Sequence, residues 1–473
     1  MLRPYIVCAL LGVCYLSCGQ SPKTSGLLSG NDSRDLIIVS VDTLRASRLP
    51  FYESLHREPR LATAGNPETP FSIAWLASQG VVYESAFTTA GKTLPSLASF
   101  FTGLDPIEHG AVSNMTRLQA DTYTLALRQA GFKNHAMVAN RALHKFCGLA
   151  AGFDSYAIRA KQLEGELGKD LLSASRADIN SGQRVMMWAH FMAPHQPYEP
   201  LPQYREQLSI PSEILAGNDA LKEAHRSPES QQPFFEAYRD LYDAEVATAN
   251  QYVQEFLTGL DAEYRAAGRG ALLDNAIIVF FSDHGEELAD RHGYFLHAKS
   301  LYSSVVQVPL IIIDKHAESK QQRVSELVNL SKTLSSVMYG SELTAEYVVS
   351  AWHNDYFSIR DQRYTLVHNP HSNLQGPSEP PVDVSYFYPA VALFDRDSDP
   401  FELNDIAAQH PQIVARLGSK LSEWYINSTQ VDGEATDFLD EQTLAELGYA
   451  GDPEDYQDLE IEGPWPAQLY TNE

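Results

Sequence analysis

Leu36-Ile37-Ile38-Val39-Ser40-Val41-Asp42 decides the fold: a short, nearly continuous apolar run, rich in β-branched residues and stopped by a carboxylate. A strand with one wet face alternates apolar with polar residues, whereas a run like this is expected of a strand buried on both faces of a parallel sheet. The pattern returns further along. Ala276-Ile277-Ile278-Val279-Phe280-Phe281-Ser282 ends in Asp283-His284-Gly285, and Val185-Met186-Met187-Trp188-Ala189-His190-Phe191-Met192 leads through Ala193-Pro194 to His195. Val308-Pro309-Leu310-Ile311-Ile312-Ile313 is the fourth run. Open α/β sheets place ligands beyond the carboxyl ends of their strands. Three runs that end in carboxylate or imidazole therefore point to a site at that edge.

Helical stretches lie between the runs. Residues 70–79 follow Thr69 as N-cap, and 235–260 carry a long apolar periodicity with Glu245 and Asn250 on the polar side. Residues 199–234 are polar and irregular, either a lid over the site or a passive surface loop. Beyond about residue 316 the segments shorten. Tyr356–Arg360 and Arg363–Val367 read as a hairpin across Asp361-Gln362, followed by a helix from Pro411 to Trp424. The expected architecture is an α/β/α sandwich on a mainly parallel sheet over 35–315. A small α+β domain over 316–430 and a solvated acidic tail over 431–473 complete it.

Acidic residues outnumber basic ones by 61 to 35 in this 473-residue chain, and the net charge of −26 argues against nucleic acid or anionic lipid as a partner. Residues 1–18 read as an export signal: Arg3, an apolar run from Tyr5 to Leu16, then Ser17-Cys18. Leu16-Ser17-Cys18-Gly19 resembles a lipobox, with Cys18 as the lipidated residue and the Gly-, Ser- and Asn-bearing stretch 19–34 as tether. An ordinary cleaved signal peptide is the plainer alternative. Either way the chain is expected to be exported, to a bacterial periplasm, to an outer membrane as a lipoprotein, or outside the cell. Cys8, Cys14 and Cys18 all lie in this leader, so Cys147 alone remains in the body and no internal disulfide is expected there.

The chemistry centres on Thr93, in Ala90-Gly91-Lys92-Thr93-Leu94-Pro95-Ser96. It sits at the start of a Pro-initiated apolar helix, where free N–H groups and the helix dipole favour an anion. Asp42, Asp283 and His284 supply hard oxygens and one imidazole, a donor set suited to a divalent ion such as Zn, Mn, Ca or Mg. Capping of local turns would account for each carboxylate alone but not for their convergence with Thr93.

In combination these segments resemble the sulfatase family of the alkaline phosphatase superfamily. Thr93-Leu94-Pro95-Ser96-Leu97 is similar to its C/S-x-P-S-R nucleophile motif, and Val39–Arg45 to its opening V-D-D/T-L-R. Thr102–Gly110 is similar to T-G-x-x-P-x-x-H-G, and Ala193-Pro194-His195-Gln196-Pro197-Tyr198 to D/A-P-H-x-P-Y. Phe281–Glu287, His292-Gly293, Leu301-Tyr302 and Val308–Ile311 follow in the family's order, as do Leu393–Pro400 and Leu444–Tyr449. The resemblance implies an alkaline-phosphatase-like α/β/α fold and a metal-dependent ester hydrolase or group transferase. It implies Asp42, Thr93, Asp283 and His284 as ligands of one divalent ion, and Thr93 as nucleophile. His195 matches a histidine that contacts the ester or protonates the leaving group. His297 lies near a position where the family binds the anionic group, with Lys299 competing for that role. Lys92 and His109 are further candidates for substrate binding.

Departures from the family pattern shape the expected reaction. The family's Cys or Ser is oxidised to formylglycine, a route closed to Thr; the phosphoryl-transferring branches of the superfamily use an unmodified Thr. Leu97 replaces the motif's Arg, Thr43 a second metal-binding Asp, and Ser47 an Asp, which implies weaker Ca binding. The expected substrate is an anionic phosphate or sulfate ester, of a glycan or a lipid headgroup. A catalytically silent surface binding protein is the reading from another class.

Overall fold

The computed structural model describes residues 26–28, 30, 32–55, 61–291, 293–297, 300–317, 322–352, 356–370 and 389–435. Its strands are β1 Asp35–Val41, β2 Val81–Phe87, β3 Thr116–Arg117, β4 Lys133–Val138, β5 Ser155–Ile158, β6 Val185–Phe191 and β7 Ala276–Ser282. They continue with β8 Leu310–Ile313, β9 Arg323–Asn329, β10 Val348–Trp352, β11 Tyr356–Arg360, β12 Tyr364–His368, β13 Val391–Asp395 and β14 Glu434–Ala435. Eight of them form one sheet in the order β5-β4-β6-β1-β7-β8-β2-β9, and β10 to β13 form a second, four-stranded antiparallel sheet.

The three runs that ended in chemistry are adjacent at the sheet's centre. β1 pairs in parallel with β6 on one side and β7 on the other. Their continuous apolar character has the expected cause, because alternate side chains enter two different cores. Ile37, Val39, Met187 and Phe280 face a core roofed by the helices Ile73–Gln79, Leu167–Asn180 and Phe235–Ala266. Leu36, Ile38, Trp188 and Phe281 face the opposite core, beneath the helices Thr93–Thr102 and Thr333–Tyr339. The fourth run is the exception in direction: β8 is antiparallel to both neighbours, β7 and β2.

Several boundaries differ from expectation. Residues 199–234 hold three short helices, Pro202–Gln207, Asn218–Arg226 and Pro228–Gln231, of which the second turns Leu221 and Ala224 inward and the other two bury no side chain. Ser72, not Thr69, caps the helix Ile73–Gln79, its Oγ accepting from Trp75 N at 3.1 Å. Glu245 and Asn250 are buried rather than on a wet face, because each satisfies backbone N–H groups of another segment: Glu199 N at 2.6 Å and Ile73 N at 2.9 Å. Past residue 316 the large sheet still recruits chain, for β9 pairs in parallel with β2.

The smaller sheet carries the expected hairpin of β11 and β12, with Asp361 Oδ1 accepting from Arg363 N and Tyr364 N in the connection. The helix Pro411–Asn427 covers one face. The sheet joins the larger domain beside the Thr93 helix, where Ala351 N donates to Thr89 O at 2.8 Å and Ser350 Oγ to Thr88 O at 2.7 Å. Among the described residues, no helix is long and apolar enough to cross a membrane. The leader with Cys18, most of the tether, His292, Lys299 and all but the first residues of the acidic tail lie outside the described residues.

Candidate active site

Asp42 follows β1, Asp283-His284 follow β7, and the helix Thr93–Thr102 aims its first residue at the same edge. All four side chains are fully buried. His284 Nε2 lies 3.4 Å from Thr93 Oγ1, 3.4 Å from Asp283 Oδ2 and 3.6 Å from Asp42 Oδ1. The other ring nitrogen, Nδ1, faces the Gly285 carbonyl at 3.0 Å. A carbonyl only accepts, so Nδ1 carries the proton and Nε2 turns its lone pair to the cluster.

Asp42 Oδ1 and Asp283 Oδ2 are buried without a hydrogen-bond donor among the described residues. Two unpaired carboxylate oxygens facing an imidazole lone pair is a costly arrangement for a chain alone and a fitting one for a divalent cation. The strain shows in Asp283, whose carboxyl is pushed well above its usual range by burial and by the charge of Asp42. Asp42 behaves oppositely. Burial would raise it, but His195, the hydrogen bond from His190 and His284 hold it below the usual carboxylate range.

Two members of the site are absent from the sequence reading. Asn140, just past β4, donates from Nδ2 to Asp42 Oδ2 at 2.7 Å and to Thr93 Oγ1 at 3.2 Å. His190, inside β6, places Nε2 3.3 Å from Asp42 Oδ2. Asp42, His190 and Asp283 could on distance alone hold an ion, with ligand atoms within 4.8 Å of one another. The surrounding hydrogen bonds argue for a different role. Trp188 Nε1 donates to Ser40 Oγ at 2.9 Å, and the Ser40 hydroxyl lies 2.8 Å from His190 Nδ1. If that hydroxyl gives its proton to Nδ1, Nε2 is the protonated nitrogen and orients Asp42 as a donor.

His195 and His297 complete the edge. Their ring centroids are 5.0 Å apart, and His297 stands 4.5 Å from His284. His195 Nδ1 donates to Gln196 O at 2.7 Å, and its Nε2 has no hydrogen-bond partner among the described residues. Burial pushes His195 down to about 4, so its ring is neutral near pH 7 until an anion arrives to favour the imidazolium. His297 Nδ1 faces Glu286 Oε1 at 3.1 Å. Burial, then His284 and His195, hold His297 well below its usual range, and Lys92 adds to this. Lys92 itself is buried as N-cap of the Thr93 helix.

His109 does not join them. Its Nε2 meets Ser99 Oγ at 3.0 Å and its Nδ1 accepts from Ala111 N at 3.1 Å, so both nitrogens serve the fold around the Thr93 helix and neither is left for substrate. The departures from the family motif also have local explanations. Leu97 packs in the apolar core with Leu94, Phe100 and Phe101, on a face where a guanidinium would have no partner. Ser47 Oγ accepts from Arg45 Nε at 3.0 Å, and Asp290 supplies the carboxylate that pairs with Arg45. Thr43 adopts φ 55, a left-handed backbone rare for a β-branched residue, with its carbonyl held by Tyr242 Oη at 2.7 Å.

The sequence profile of the family named Sulfatase matches residues 34–341. The chain belongs to the sulfatase family. Sulfatases typically bind a divalent metal, in keeping with the Asp, Asp and His cluster. Over 203 residues the chain is 28% identical to arylsulfatase K of the dog, Canis lupus familiaris, a stretch that is 37% of this chain and 35% of that protein. The match thus spans about a third of the curated relative's length. A 2-O GAG sulfatase superposes with TM-score 0.61 at 17% identity, covering 87% of this chain and 96% of its own. The phosphonate monoester hydrolase of Silicibacter pomeroyi superposes with TM-score 0.60 at 18% identity, covering 84% and 96%. At such identities the likeness extends to the alkaline-phosphatase-like fold, which sulfatases and phosphonate hydrolases share.

Proposed function

We propose that this sulfatase-family chain is an exported, metal-dependent ester hydrolase that uses the unmodified Thr93 hydroxyl as nucleophile and favours phosphorus esters over sulfate esters. The observation that carries it is the convergence of Thr93 Oγ1 with two unpaired carboxylate oxygens on the lone-pair side of His284. Asp42, Asp283, His284 and Thr93 would hold the ion. A divalent ion bound there lowers the pKa of the hydroxyl and offsets charge on the ester oxygens.

The residues of the chain do the rest. Asn140 gives its two amide hydrogens to Asp42 Oδ2 and Thr93 Oγ1 and so holds the nucleophile against the carboxylate. Thr93 releases its proton to solvent and attacks in line, the bond to the alcohol oxygen breaks, and His195 or His297, protonated from solvent once the anion is bound, gives that proton to the departing alcohol. The anion enters beside the amino end of the Thr93 helix and the Lys92 ammonium. Water then releases the group from Thr93. A sulfate ester on Thr would have to be displaced at sulfur without the hemiacetal route that formylglycine provides, which is why phosphorus is preferred.

Export and anchorage at Cys18 belong to the same reading. Leu27 and Leu28 pair by their backbones with Val337 and Met338, and β1 begins at Asp35, so the tether meets the sheet at its amino edge. A lipid at Cys18 would leave the site facing away from the anchoring membrane. The test is a matched set of 4-nitrophenyl phosphate, phosphonate and sulfate esters assayed across Ca, Mg, Mn and Zn after chelation. Turnover restored by one metal and fastest on a phosphorus ester is expected; fastest turnover of the sulfate contradicts the proposal.

A further inference from the structure

Three charged side chains remote from the Thr93 cluster converge on one short piece of backbone. Lys161 and Glu164 lie on the 3-10 helix Lys161–Glu166, and Glu245 lies midway along the helix Phe235–Ala266. Glu164 Oε1 accepts from Met192 N and from Ala193 N, the latter at 3.1 Å. Lys161 Nζ donates to His195 O and to Pro197 O, the latter at 2.6 Å, and lies 3.4 Å from Glu245 Oε1. Glu245 Oε1 also accepts from Glu199 N at 2.6 Å. Every one of these bonds falls between Met192 and Glu199, the segment that carries His195 from the end of β6.

We propose that Lys161, Glu164 and Glu245 form a charged clamp that positions His195 for transfer of a proton to the leaving group. The inference rests on the reading of His195 given above. Segment 192–199 contains two prolines and leaves the sheet, so few of its backbone groups can be satisfied by regular pairing. Burying two carboxylates and an ammonium is costly, and neutral side chains could close an ordinary loop. Charge-assisted bonds are shorter and hold geometry more tightly. They tie the segment to two helices, and the His195 Nδ1 bond to Gln196 O transmits that placement to the ring. Among the described residues, its Nε2 has no hydrogen-bond partner. Burial pushes Glu164 up to about 8 and Lys161 opposes the rise, so near pH 7 Glu164 is charged only in part and Lys161 and Glu245 carry most of the charge of the clamp.

The experiment compares phenyl and 4-nitrophenyl phosphate, with the corresponding sulfate pair beside them, in wild type, Lys161→Met, Lys161→Arg and His195→Ala. Phenoxide is the poorer leaving group and needs the proton more. Loss of a positioned acid therefore widens the 4-nitrophenyl to phenyl ratio of kcat/KM, by about tenfold for a displaced imidazole. The ratio is taken within the active fraction, so partial unfolding does not move it. Lys161→Met is expected to widen it as His195→Ala does, with metal content unchanged and Lys161→Arg restoring it in part. A wild-type ratio in Lys161→Met beside a widened one in His195→Ala overturns the clamp. An unchanged ratio in His195→Ala overturns the reading of His195 instead. Hydrogen exchange reads the clamp without turnover: Lys161→Met, or Lys161→Arg if Met does not fold, should speed exchange over Met192–Glu199 and not over Ala276–Ser282. Equal exchange in both segments counts against it.

Discussion

Thr93 Oγ1 stands 3.4 Å from His284 Nε2, although 191 residues separate them in the chain. Bringing them together takes a helix amino end from one face of the sheet and a strand carboxyl end from its centre, so the contact tests the fold and the chemistry together. Replacing Thr93 by Ala should lower kcat by roughly 10³-fold or more while leaving the fold intact, with metal held more weakly by the remaining Asp42, Asp283 and His284. Thr93→Ser should retain measurable turnover. Steady-state kinetics on the purified variants checks both.

Metal binding should be visible in stability. Asp42 Oδ1 and Asp283 Oδ2 have no donor among the described residues, so a cation that occupies their gap favours the folded state. At a hundred times its Kd it should add about 2.7 kcal/mol. Wild-type protein stripped of metal should therefore melt higher when the right divalent ion is returned. Asp283→Asn should lose that increment, while its melting temperature in chelator stays level or rises because a like-charge contact is gone. An equal ion-induced shift in wild type and variant contradicts the assignment.

Asn140 bridges Asp42 and Thr93 and should matter to the transition state more than to binding. Asn140→Ala is expected to cost about 10²-fold in kcat with a smaller change in KM, the pattern of a nucleophile no longer held in line. A drop confined to KM would place Asn140 in ground-state binding instead.

Acid should loosen the junction between the two sheets through Glu402. Burial alone would raise its carboxyl, but Arg360, the Thr365 hydroxyl, Arg396 and the Ser303 N–H together bring it below the ordinary 4.5. A depressed native pKa contributes stability that is present above the unfolded value and is lost as pH falls through the native one. Wild type should thus lose stability below about pH 4.5 more steeply than Glu402→Gln. At pH 7 the variant should be the less stable by about 1–3 kcal/mol, because Arg360 loses a buried counter-charge. Denaturant melts from pH 3 to 8 measure both differences.

The core strands were legible because burial on both faces writes one continuous apolar word for each of β1, β6 and β7. Asp42, Asp283 and His284 could be picked out because they follow such runs, and Thr93 because it opens a Pro-initiated helix in a segment that resembles the family's nucleophile motif. Asn140 could not, since a lone Asn after Ala136-Met137-Val138-Ala139 reads as a turn former, and β4 is too mixed to announce its end as a site. His190 was hidden inside a strand, where its partner through Ser40 is set by register and not by spacing. His109 drew attention through motif position, but a buried imidazole with both nitrogens bonded is a structural strut. In 199–234 the helices Pro202–Gln207 and Pro228–Gln231 bury no side chain and leave no periodic trace, while Asn218–Arg226 turns only Leu221 and Ala224 inward, a stripe of two residues in a polar stretch.

The measurement closest to the central claim is a rapid acid quench of the enzyme with a phosphorus ester, followed by mass spectrometry of the peptide that contains Thr93. A phosphoryl adduct on Thr93, absent from Thr93→Ala and formed with a burst of alcohol, is the predicted result. An adduct on another residue, or matched aryl sulfate turned over faster than the phosphorus ester with no adduct on Thr93, contradicts the account.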